Sequence, residues 1–381
     1  METSLLIIVV VATALIFDFT NGFHDTANAM ATSIATGALR PKVAVAISAV
    51  LNVAGAFLSV QVAKTISSGI VADSKITPAV IFGGLIGAIV WNLVTWFVGL
   101  PSSSSHALFG GLIGAAWTAA GPGAVHFGKI MDKIVVPAVA SPLIAGIVAL
   151  IATYVGYRIT RNADQRTVTK GYRYGQTVTA CLVSLAHGTS DAQKTMGVLT
   201  LTLVTGGLLP SQADPPLWVI LSAGAAMGLG TYVGGWRVIR TMGKGITDIE
   251  SPQGFAAETS AATTLLLSSH LGFALSSTHV VSGSVVGVGL GRRISEVRWG
   301  VAGRMMLAWG LTLPAAAGVG ALSSAITSFG TPGIIAVAVV AAALSGGLFL
   351  ASRRNPVTAA NVNADSEKER SEQNPSPALA N

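Results

Sequence analysis

Gly22-Phe23-His24-Asp25-Thr26-Ala27-Asn28-Ala29-Met30 decides how this chain is read, because a second copy stands at Gly188-Thr189-Ser190-Asp191-Ala192-Gln193-Lys194-Thr195-Met196. Each copy places an aspartate one helical turn before a polar or cationic residue, Asn28 or Lys194, directly after an apolar run long enough to lie in a membrane. A carboxylate at that depth is costly, so an intramembrane aspartate marks a functional site by default. Two of them in matching frames point to one site built from two halves.

The composition agrees with that depth. Of 381 residues, 51% are hydrophobic and only 10% charged, against about 25% charged in average soluble chains. The chain therefore reads as an all-α polytopic membrane protein, multi-pass in the plasma membrane. Its net charge of +7 is no sign of nucleic acid, because Lys and Arg fall in short blocks between apolar runs, where the positive-inside rule expects them. The single cysteine, Cys181, lies in an apolar run and excludes an intrachain disulfide. The apolar run Leu5 to Phe17 with the following Ala27-Asn28-Ala29 mimics a secretory signal, but Glu2 and the nearby Asp18 favour a retained first span.

Outward from the motifs, the chain divides into a first transmembrane repeat over 1–157, a basic cytoplasmic connection over 158–173, a second repeat over 174–322, a final helix over 323–351 and a polar, disordered tail over 352–381. Within the first repeat, a helix over 4–20 is expected to break at Asn21-Gly22 and resume from Asp25 to Ala38, with spans at 43–63 and 79–99 and a polar loop at 64–78 between them. Pro101-Ser102-Ser103-Ser104-Ser105-His106 then precedes a short Gly-rich apolar stretch, Ala107 to Ala120, which suits a re-entrant helix. The second repeat replays this order, with Ser276-Ser277-Thr278-His279 before the short run Val280 to Leu290. Asp25 to His106 spans 81 positions and Asp191 to His279 spans 88. Duplication with interrupted segments at corresponding places points to a secondary transporter with its site between the repeats, each of which crosses the membrane an odd number of times if they are inverted. About ten crossings and two re-entrant segments are expected.

The serine blocks stand where helices begin inside the membrane, so unpaired backbone N–H groups, a positive dipole end and the hydroxyls of Ser103, Ser104, Ser105, Ser276, Ser277 and Thr278 can together hold an oxyanion. The plainer reading is that they cap the helices; two blocks in register favour the anion site. Asp25 and Asp191 would repel that anion unless positive charge stood between them. Co-transport of a cation follows. Asp25 and Asn28 offer hard oxygen ligands suited to Na⁺ or a proton, while Lys194 puts a fixed ammonium where a cation could sit, which favours H⁺ over several Na⁺. His24 is a further coupling candidate, and His106 and His279 are read as structural. Of two other intramembrane acids, Glu258 ranks above Asp18 as a proton relay. No Cys/His/carboxylate cluster with metal-ligand spacing is evident.

With those residues in place, the chain resembles the PiT family of inorganic phosphate transporters, on Gly22 to Ala29, on His187 to Lys194 and on the two Ser/Thr-His blocks. The resemblance implies a fold of two inverted repeats, phosphate held by the re-entrant hydroxyls, and cations near Asp25, Asn28 and Asp191, the last three being the Na⁺ ligands if sodium is coupled. The His24-Asp25 and Gln193-Lys194 forms are similar to the bacterial low-affinity branch, which takes up phosphate, or its neutral complex with a divalent metal, with protons. Relatives carrying Asn at the positions of His24, Ser190 and Lys194 put sodium stoichiometry in question. The expected protein is a symporter in the cell membrane, not an enzyme and without a cofactor, since no G-x-x-x-x-G-K-[ST] nucleotide loop is present; a second copy, as a homodimer, is among its candidate partners. A sulfate or related oxyanion permease is the rival within transport, and an anion sensor the rival outside it.

Overall fold

The computed structural model describes residues 3–67, 76–292 and 297–364. Arg293, the middle of the 64–78 loop and residues 365–381 of the expected tail lie outside them. Among the described residues are fourteen α-helices, three short 3-10 or π segments and no strand: α1 Thr3–Ala35, α2 Pro41–Gly55, α3 Gln61–Ser67, α4 Pro78–Val98, α5 Ser104–Ala120, α6 Phe127–Ile130, α7 Val136–Ile159, α8 Gln165–Thr205, α9 Leu217–Val233, α10 Trp236–Arg240, α11 Ser251–His270, α12 Ser277–Arg292, α13 Trp299–Thr327 and α14 Thr331–Ser352.

The helices α1 and α8, which carry the two motifs, lie side by side and run in opposite directions. Thr36 at the end of α1 donates to Gln176 near the start of α8 at 2.7 Å, while Gly206 just past α8 sits against Ile7 near the start of α1. Three neighbours of one have counterparts on the other: α9 packs on α1 as α2 packs on α8, α10 on α1 as α3 on α8, and α4 on α1 as α11 on α8. The hairpin α4–α5 is backed by α13, and the hairpin α11–α12 by α7. Two repeats of inverted sense thus enclose the α1–α8 pair.

The expected break at Asn21-Gly22 is absent, since α1 runs unbroken through it. The reason is packing. A Cβ on Gly22 would stand 2.2 Å from the Met227 carbonyl oxygen of α9, and one on Gly230 would stand 2.1 Å from that of Phe19. The second repeat repeats the crossing: a Cβ on Gly188 would meet the Asn52 oxygen of α2 at 2.3 Å and one on Gly55 the Leu185 oxygen at 2.4 Å. These glycines let backbones approach, as small residues do between membrane helices. The breaks fall elsewhere. One lies between α4 and α5, where Gly99 has φ 70°, one between α11 and α12, where Gly272 has φ 73°, and one between α9 and α10, where the chain bends by 63°.

Among the described residues five helices are long and apolar enough to cross a membrane, six if the bent α9–α10 pair is one span. Of the site-bearing helices α1 is counted, whereas α5 and α12 are too short and α8 too polar to pass that measure. Large apolar side chains on α7 and α14, among them Leu143, Ile147, Val339 and Leu350, face outward, as a lipid-facing belt requires. Within the basic connection Asp164 accepts from the Thr167 N–H at 2.9 Å and caps the start of α8; that bond holds the Asp164 carboxyl below the ordinary carboxylate range. One further expectation is corrected. The tail is packed, not disordered, through its first residues: Arg240 donates to the Asn361 carbonyl and Asn363 to the Ile34 carbonyl, at 2.7 and 3.2 Å.

Candidate substrate and cation site

Because α1 and α8 are antiparallel, Asp25 and Asp191 arrive at one place from opposite sides, and the N-termini of α5 and α12 meet them there. Ser103 caps α5 by accepting the His106 N–H at 3.2 Å, and Ser276 caps α12 by accepting the His279 N–H at the same 3.2 Å. The capping reading therefore holds for these two hydroxyls, each of which keeps its own proton to donate. The next residues turn to the acids. Ser104 donates to Asp25 Oδ2 at 2.6 Å and Ser277 to Asp191 Oδ2 at 3.0 Å.

The contacts then cross between repeats. Asn28 donates to Thr278 at 3.0 Å and Ser277 at 3.3 Å, and its counterpart Lys194 donates to Ser105 while pairing with Asp191 Oδ1 at 2.5 Å. Thr278 also lies 3.5 Å from Asp25 Oδ1. His24 Nδ1 is 2.7 Å from Asp25 Oδ1, and its Nε2 is 3.2 Å from Thr95 Oγ1. The six hydroxyl residues, Asn28, Lys194, His24 and both aspartates are each 3% exposed or less, so the site is closed from both ends.

One residue in the cluster carries no role in the sequence reading. His187 on α8 sits between the acids, its Nε2 3.3 Å from Asp191 Oδ2 and 4.0 Å from Asp25 Oδ2. Asp25, His187 and Asp191 each offer a ligand atom, all within 4.8 Å of one another. The expectation of no His/carboxylate cluster is thereby corrected. Its signal was half visible, since His187 and Asp191 are one turn apart, but Asp25 joins only through the antiparallel packing. Two carboxylates and an imidazole suit a divalent ion, and the unpartnered, buried Asn28 Oδ1 suits a hard cation.

Glu258 is not in this cluster. It accepts from Thr32 at 2.6 Å, Ser33 at 2.5 Å, Thr179 at 2.7 Å and Gln176 at 3.2 Å, about 10 Å along α1 from Asp25 at 1.5 Å per residue. His106 and His279 stack edge to face at 4.7 Å. His279 Nδ1 lies 3.1 Å from the Ala138 carbonyl, the structural role expected of it. Asn52 donates to Thr231 at 2.8 Å, tying α2 to α9.

The chain is similar to known proteins over most of its length. A model of the family described as "Phosphate transporter family" matches residues 21–320. A "Probable low-affinity inorganic phosphate transporter" of Mycobacterium bovis is 53% identical over 95% of this chain and 88% of its own length. The protein of that name from Bacillus subtilis is 43% identical over 84% of this chain and 96% of its own. A solved structure titled "The sodium-dependent phosphate transporter" superposes with a TM-score of 0.76 at 25% identity, covering 85% of this chain and 99% of that one. With inverted repeats around paired aspartates and paired hydroxyl-rich helix starts, and with these matches over most of its length, the chain belongs to the phosphate transporter family.

Proposed function

We propose that this protein is a secondary symporter that imports inorganic phosphate together with a cation, and that the cation is a proton rather than sodium. Phosphate takes the hydroxyls of Ser103, Ser104, Ser105, Ser276, Ser277 and Thr278 and the free N–H groups of the first turns of α5 and α12. In the closed site Ser104 and Ser277 donate to the aspartates, so an arriving anion competes with Asp25 and Asp191 for them. Two like charges about 4 Å apart repel by roughly 4 kcal/mol at an effective dielectric of 20. Positive charge must enter with the anion, and Asp25 and Asp191 receive it, with His24 and Glu258 as relay candidates.

The choice of proton rests on Lys194. Its ammonium lies between Asp191 and Ser105, the position that mirrors Asn28 between its own hydroxyl partners. A resident ammonium there takes the place of a mobile ion. Uptake of labelled phosphate into proteoliposomes tests the choice: an inward pH gradient drives accumulation and an inward sodium gradient does not. Accumulation driven by sodium alone overturns it. Asp25→Asn inserts normally and loses uptake at least tenfold, and normal uptake by that variant removes Asp25 from coupling.

The imidazole of His187 beside both acids supports a second statement about cargo, that a divalent metal travels with the phosphate as a neutral complex. Added Mg²⁺ or Mn²⁺ then stimulates uptake and chelation suppresses it, with His187→Gln abolishing the difference. An excess of sulfate leaves uptake unchanged.

A further inference from the structure

Four carboxylates lie buried along α1, α8 and α11, and three of them are answered. Asp25 has His24 and Ser104, Asp191 has Lys194 and Ser277, and Glu258 has its four donors. Asp18 on α1 is 0% exposed, and neither of its oxygens has a hydrogen-bond partner. Beside it stand Asn21, one turn on along α1, and Thr195, reaching across from α8, both near enough to act on the carboxyl but neither in hydrogen-bond geometry with it. Both are buried, at 1% and 0% exposure, and the Asn21 amide oxygen and nitrogen and the Thr195 hydroxyl are also without partners. Among the described residues no Lys, Arg or His forms an ion pair with Asp18; the ionisable groups whose field reaches it are Asp191 and His187.

Burying an unpaired charge or an unsatisfied amide is expensive, and native proteins keep such groups where something binds them. Here the orphans converge, and every acceptor among them is a hard oxygen: two from Asp18, one from Asn21 and one from Thr195. With one net negative charge and no nitrogen or sulfur donor, the set fits a small, hard, singly charged ion better than a transition metal.

We propose that Asp18, Asn21 and Thr195 form a binding site for a monovalent cation of sodium's size, distinct from the Asp25–Asp191 pair. It lies seven residues before Asp25 on α1, about 10 Å along the axis, on the opposite side of the substrate site from Glu258. The ion joins α1 to α8 at the residue after Lys194, and so fixes the turn that carries the ammonium. The site stands whichever ion is coupled at Asp25, because binding is read here without transport.

The experiment is thermal unfolding of the full-length protein in detergent, in NaCl against choline chloride at equal ionic strength. Sodium raises the melting temperature of the native protein saturably. The rise persists in Asp25→Asn, is lost in Asp18→Asn, and needs at least tenfold more sodium in Thr195→Val, which removes one oxygen ligand and no charge. The proposal is overturned if sodium has no effect on the native protein, if the effect survives in Asp18→Asn, or if it vanishes in Asp25→Asn alone. Should Asp18→Asn not fold, Thr195→Val decides: an unchanged sodium requirement there also overturns it.

Discussion

At the residue scale the site is a pair of crossed contacts that differ in one member. Asn28 reaches the hydroxyls of the opposite hairpin with a neutral amide, and Lys194 does the same with an ammonium held 2.5 Å from Asp191. Breaking a buried ion pair by removing one partner costs about 3–5 kcal/mol where the remaining charge is left alone. Asp191 would not be alone, since His187 and Ser277 remain against it. Lys194→Asn therefore makes the two half-sites alike and opens the position to a mobile cation. The variant folds, and its phosphate uptake becomes stimulated by external sodium; uptake that stays indifferent to sodium in this variant would sink the reading of Lys194 as a built-in cation.

At the element scale the glycine crossings set how near the two motifs come to their neighbours. Gly22 and Gly230 join α1 to α9, and Gly188 and Gly55 join α8 to α2, each with a carbonyl where a methyl would go. Overpacking of this kind costs about 1–3 kcal/mol. Gly22→Ala and Gly188→Ala lower the melting temperature to a similar extent, while Gly310→Ala on α13, which faces open space, leaves it unchanged; equal effects at all three positions would remove the symmetric crossing as the cause. These crossings also show what a sequence holds and hides. The duplicated motifs and the serine blocks were legible, because capping and intramembrane charge are local demands that leave local signatures. The continuity of α1 through Asn21-Gly22 was not, because a glycine that breaks a helix and one that admits a neighbour look the same until the neighbour is placed. The role of His187 was hidden for a similar reason: Asp25 reaches it from another helix.

At the scale of the whole molecule, the antiparallel α1–α8 pair sorts charge between its two ends. One end gathers Arg161, Arg173, Arg237, Arg240 and Arg298, with Arg240 and Arg237 holding the packed tail through Asn361 and Asn355. The other has Lys64 paired with Asp214 at 2.8 Å. The positive-inside rule predicts the first end in the cytoplasm and the start of α1 outside, with the closed site opening by movement of one repeat against the other. With Cys181 replaced by serine, a cysteine at Asp214, which is 67% exposed, reacts with a membrane-impermeant maleimide in intact cells. One at Arg161 reacts only after the membrane is permeabilised. The reverse pattern would turn the molecule over and make the basic end the face from which phosphate enters.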